Sequence, residues 1–67
     1  MSKYAVSVCV MVVENKQLDA HHTVLVIDAM SADEARGHGY NLAKKTIYPS
    51  DEGYFNHDVV VMEITDW

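Results

Sequence analysis

Three β-branched apolar runs and one stretch of helical spacing divide this chain. Residues 4–13 (YAVSVCVMVV) form a nearly unbroken apolar run. Residues 14–20 (ENKQLDA) are polar and turn-like, and residues 22–29 (HTVLVIDA) are β-rich again. Two such runs joined by a polar segment predict a β-hairpin, here with a connection longer than the two-residue ideal. Ser31 then opens a helix. The order Ser31-Ala32-Asp33-Glu34 fits a capping box, in which the hydroxyl accepts an orphan amide and Glu34 reaches back to the cap amide. Asp33 and Glu34 lie where the helix dipole favours negative charge, Lys44 and Lys45 where it favours positive charge. Ala32, Ala35, Gly39, Leu42, Ala43, Thr46 and Ile47 recur at spacings of three and four, the mark of one buried helix stripe. Pro49 ends the helix and biases Tyr48 away from helical geometry. A loop over residues 49–56 (PSDEGYFN) leads to a last strand over residues 57–65 (HDVVVMEIT).

Gly37 and Gly39 each weaken a helix by about 1 kcal/mol relative to Ala. Gly39 falls on the buried stripe, which predicts close approach of helix to sheet. Neither glycine makes a phosphate loop, because both lie inside the helix rather than between a strand and a helix start.

Strand–strand–helix–strand has one favoured assembly. A right-handed crossover returns the third strand parallel to the second. It then adds beside the first, giving order 2-1-3 with residues 4–13 in the centre. A central strand covered on both faces reads as a continuous apolar run, as this one does. The expected fold is therefore a single α+β domain of type ββαβ, a three-stranded antiparallel sheet with one helix packed on one face.

Alternation sorts the strand residues into two sets. Toward the helix we place Leu25, Ile27 and Ala29, the series Tyr4, Val6, Val8, Val10 and Val12, and from the third strand Val60, Met62 and Ile64. The other face would hold Ser7, Cys9, Met11, Val13, Val24, Val26, Val59, Val61 and Trp67. One helix covers one side only, so this second side should be polar, and mostly it is not. An exposed apolar face of this kind marks an interface. Cys9, Met11, Val24, Val26, Val59, Val61 and Trp67 are thus the expected contact residues, for a second copy in a homodimer or for a different partner. Small chains commonly supplement their cores by oligomerisation.

Composition narrows the classes of function. The 67 residues carry ten acids against four Lys and one Arg, a net charge of −5. A basic nucleic-acid binder would show the opposite balance. Cys9 is the only cysteine, so there is no disulfide framework, and a reduced, cytoplasmic setting is expected. No apolar stretch reaches the ~18 residues of a membrane span. The first apolar run has one Lys before it and no small-residue cleavage site, unlike a signal peptide.

Candidate chemistry is sparse. His21, His22 and His57 stand at strand starts that share one end of the sheet, with Glu14 and Asp58 as neighbours. Such a set could bind a divalent ion such as zinc. Adjacent residues on a strand face opposite ways, however, which sets His21 against His22. Cys9 lies in an apolar run without a helix N-terminus or cation beside it, the setting of an inert small hydrophobe. No catalytic order of Ser, His and Asp, no nucleotide fingerprint and no cysteine cluster is present. No enzyme activity and no cofactor are expected. In the loop, Asp51 and Glu52 precede Tyr54 and Phe55. Aromatics beside acids can dock on a basic protein surface. Equally, Tyr54 or Phe55 could cap the end of the core, since small domains need their aromatics for burial.

Residues 24–64 carry a further likeness. A strand ends at Ala29, the helix enters at Ser31-Ala32-Asp33-Glu34-Ala35, Tyr48-Pro49 and Gly53-Tyr54 follow, and the chain closes on His57 and residues 59–64. This arrangement resembles small early proteins of tailed bacteriophages and their prophage relatives. Such proteins include inhibitors of host RNA polymerase, anti-CRISPR proteins and other anti-defence proteins. The resemblance implies a protein that occupies a surface on a larger host target, and it carries over no catalytic residue.

Overall fold

The computed structural model describes residues 1–65, so Trp67 lies outside the described residues. Strands β1 (Ser2–Glu14) and β2 (Gln17–Ala29) lead into helix α1 (Ala32–Leu42), and β3 (Phe55–Ile64) closes the fold. All pairings are antiparallel and the order is β2-β1-β3. This is the expected α+β arrangement.

The hairpin is tighter than its polar segment suggests. Glu14 pairs with Gln17, so only Asn15 and Lys16 form the turn. Both have positive φ, 51° and 64°. That is the backbone of a type I′ turn, whose twist matches the flanking strands. Residues 17–20 therefore belong to β2 rather than to a connection. All four are exposed, the polar Gln17 and Asp19 as well as Leu18 and Ala20.

Helix α1 starts as its sequence dictates. Ser31 is extended, and its Oγ accepts from the Glu34 amide at 3.2 Å. Glu34 reaches back one residue further than expected, accepting from the Met30 amide at 3.4 Å. The buried stripe is Ala35, Gly39 and Ala43. Ala32 and Leu42 turn out toward solvent. From Ala43 to Ile47 the helix widens to π geometry, and the Tyr48 amide bonds the Ala43 oxygen at 2.7 Å. A wider turn before Pro49 lets the chain leave the helix without the clash proline makes with a regular preceding turn.

Small residues on that stripe bring the helix close to the sheet. A Cβ at Gly39 would stand 2.5 Å from Val6 Cγ1, which accounts for glycine inside the helix. Below it lie Tyr4, Val6, Val8 and Val10 of β1, Ile27 and Ala29 of β2, and Val59 of β3. Each fully buried valine is worth about 1.5–3 kcal/mol of apolar transfer, so this single layer carries most of the stability.

Strand β3 corrects the expected faces. Met11 pairs with Phe55 but Cys9 pairs with Asp58, so β3 holds one extra residue opposite Val10. Asn56, at φ 60°, makes this bulge. An unbroken ladder from Phe55 would set Val59 opposite Ser7, on the open side. The extra residue sets it opposite Val8 instead, and Val61 opposite Val6. Val59 is 9% exposed and in the core, with Val61 packed against it. Val60 and Met62, expected under the helix, are 61% and 69% exposed. Ile64 pairs with Lys3 and faces the same open side.

Candidate functional site

The uncovered side of the sheet carries exposed apolar side chains from all three strands. In register across it stand Val26, Ala5 and Met62, then Val24, Ser7 and Val60, then His22, Cys9 and Asp58. Val13 and Leu18 extend it toward the turn, where both are exposed. Cys9, Met11, Val24 and Val26 are thus where the sequence places them. Val59 and Val61 are replaced there by Val60 and Met62, because of the bulge.

The relief of this face is specific. Its central row is small (Ala5, Ser7, Cys9), and its outer rows are larger (Val24 and Val26 on one side, Val60 and Met62 on the other). The result is a shallow apolar trough along β1. One end is bounded by an ion pair, Lys3 Nζ to Asp28 Oδ1 at 3.0 Å, with both side chains partly exposed. Such a surface pair contributes little stability but marks a polar rim. At the other end the Asn56 amide approaches the Met11 sulfur at 3.8 Å. A hollow of about 180 Å³ lies there, lined by Cys9, Met11, Ala20, Asn56 and Asp58 among others.

The acidic aromatic loop does not form one surface. Ser50–Glu52 is a short 3₁₀ turn, and Gly53 at φ 97° redirects the chain. Asp51 and Glu52 are exposed at its tip. Tyr54 turns back onto the core, its ring 5.1 Å from Tyr48 and 6.1 Å from His21. Phe55, paired with Met11, points to the open face and stays exposed. Of the two roles available to these aromatics, Tyr54 takes the cap and Phe55 joins the exposed apolar surface.

The histidines are separated. His21 lies 3.6 Å from Glu14 and against the Tyr48 and Tyr54 rings on the helix side. His22 pairs with Cys9 on the open side. His57 sits on the far strand, its Nε2 2.8 Å from the Tyr48 oxygen and its ring edge-on to Tyr40. Among the described residues no group of three or more His, Cys, Asp or Glu could hold a metal ion.

Two shallow clefts flank the helix. One, of about 390 Å³, lies between α1 and β3 and is lined by Asp33, Arg36, Tyr40, His57 and Asp58 among others. Its floor is fixed by Arg36, whose Nη1 donates to the Val59 carbonyl at 2.6 Å. The other, about 560 Å³, runs from Tyr40 to Asp51, with Lys44 above the Tyr40 ring at 5.1 Å. Sequence reasoning missed the Arg36 contact. Its one signal was a lone arginine on the helix, which becomes informative only once a strand edge is known to lie beside it.

No family model matches the chain, and neither a curated protein nor a solved structure does. Among the described residues, no helix is long and apolar enough to cross a membrane.

Proposed function

We propose that this chain is a non-enzymatic interaction protein that covers a surface on a larger protein. The observation that carries the reading is the open sheet face. Val24, Val26, Val60 and Met62 stand 57%, 52%, 61% and 69% exposed on one continuous surface. A run of large apolar side chains held rigidly in strands is unfavourable in water and gains free energy when covered. Its polar rim, with Lys3, Asp28 and Asp58, follows the plan of a protein-binding patch. Phe55 at its margin adds an aromatic anchor of the kind that dominates binding energy.

The resemblance to small phage early proteins names the target class in this reading: a host protein or defence complex, met in the cytoplasm and inhibited by occlusion. Binding uses no cofactor. Self-association into a homodimer belongs to the same reading, since a chain of this size gains core by pairing.

The test is capture from a host lysate by immobilised protein, compared with the double variant V60K/M62K. Both positions are exposed, so the variant keeps the fold, as circular dichroism would verify. The expected result is one stoichiometric large partner retained by the natural chain and lost by the variant. Equal retention by both would overturn the face as the binding site.

A further inference from the structure

The two edges of the sheet differ, and the difference singles out one of them. The β3 edge is guarded. Arg36 occupies the outward carbonyl of Val59, and the bulge at Asn56 breaks the row of free groups. These are the devices by which proteins blunt an exposed strand. The β2 edge has neither. It runs 13 residues without proline, and its pairing with β1 is continuous from Ala29 to Gln17.

Outward groups on β2 follow from the turn. A two-residue hairpin makes Glu14 and Gln17 a hydrogen-bonded pair. Alternation then directs the main-chain groups of residues 19, 21, 23, 25 and 27 inward to β1. Those of Leu18, Ala20, His22, Val24, Val26 and Asp28 point outward. The same even-numbered side chains face the open side.

We infer that a second copy of this chain pairs with β2 along this edge, antiparallel about a two-fold axis at Leu25. Only registers that oppose even-numbered residues join the free donors and acceptors. Among these, the axis at Leu25 sets His22 against Asp28 at both ends and Val24 against Val26 between them. An imidazole meets a carboxylate and valine meets valine, cross-strand pairs of the favourable kind. Shifting the axis by one residue puts Asp28 opposite Ala20 or Val24, and the complementarity is lost. The overlap ends at Ala29 opposite His21, where the chain leaves the strand for the helix cap. The product is a six-stranded sheet with the helices on one side. Its open faces join into one apolar surface of double width. This deepens the self-association proposed above and rests on it.

The register makes a sharp test. Leu25 would face its own copy in a non-hydrogen-bonded pair, with Cα atoms about 4.5 Å apart, within disulfide reach. In a C9S background, L25C is expected to link into covalent dimers on mild oxidation. T23C, which would face Ile27 rather than itself, is expected to stay unlinked. Val24→Pro removes an outward amide that β1 does not use, so the monomer keeps its fold. Two main-chain bonds per dimer are lost, and the dimer dissociation constant should rise at least about thirtyfold by light scattering. A natural chain that stays monomeric throughout a dilution series would overturn self-association altogether. A dimer that survives V24P, fails to link through L25C and dissociates on V60K/M62K would overturn the edge alone and place the contact on the open face.

Discussion

Val6 of the central strand packs directly beneath Gly39 of the helix, with no room for a methyl group between them. A Cβ built at Gly39 meets Val6 Cγ1 at 2.5 Å and Ile27 Cδ1 at 3.5 Å. Val6 is fully buried, so it cannot swing aside into solvent. G39A should therefore destabilise the fold by about 1–3 kcal/mol from overpacking, even after its gain in helix propensity. Gly37, two residues earlier, has nothing within 4 Å of the same built atom. G37A should stabilise by about 0.5–1 kcal/mol. Urea denaturation of the two variants checks the pair: opposite signs are expected, and equal signs would contradict this packing.

The hairpin turn offers a second gain. Lys16 holds φ at 64° in the left-handed region, which costs a residue with a Cβ. An Asn-Gly turn suits this geometry best. K16G should raise the melting temperature, by an amount corresponding to about 0.5–1 kcal/mol, with no change in oligomeric state. A lower melting temperature would contradict the turn type.

Much of this fold was legible in the sequence because its signals are local. The Ser31 cap, the small-residue stripe and the stop at Pro49 each act within a few residues. The unbroken run of β1 announced a central strand, and order 2-1-3 followed from chain connectivity. What escaped was set by single residues acting at a distance. Asn56 adds one residue to β3 and so exchanges Val59 and Val61 for Val60 and Met62, a reversal that alternation cannot reveal where three valines and a methionine stand in a row. Asn15 and Lys16 lack the glycine that usually marks a tight hairpin, so the turn read as longer than it is. The open face itself was visible, because the ladder that joins β1 to β2 has no bulge.

Arg36 ties the helix to the edge of β3 through the Val59 carbonyl. The bond is charge-assisted, and no other helix side chain of the described residues is seen to reach that carbonyl. R36A should cost about 1.5–3 kcal/mol by urea denaturation. R36K, which keeps the charge but loses the planar fork, should recover only part of that loss. In hydrogen exchange, the β3 amides that face β1, Val60 and Met62 among them, should lose protection in R36A while the amides that join β1 to β2 keep theirs. Unchanged protection along β3 would show that the contact does not hold the edge.

Neighbouring valines on β3 separate the bulged register from an unbroken one. Val59 lies under the helix opposite Val8, and Val60 lies on the open face opposite Ser7. Each is truncated by the same two methyl groups in V59A and V60A, so β-propensity and side-chain entropy change alike. Only burial differs. V59A empties space in a core that has few other large side chains, and should cost ~2 kcal/mol or more. V60A removes area already in contact with water, and should cost about 0.5 kcal/mol. An unbroken ladder from Phe55 would invert the order, with V60A the costly change. Pairing through the β2 edge leaves Val60 on the open face of β3, and only a partner seated on that face would raise its importance. Measured at a dilution where the chain is monomeric, the ranking reports the position of the bulge directly. It also fixes Val60 as the valine of this strand that a partner on the open face can touch.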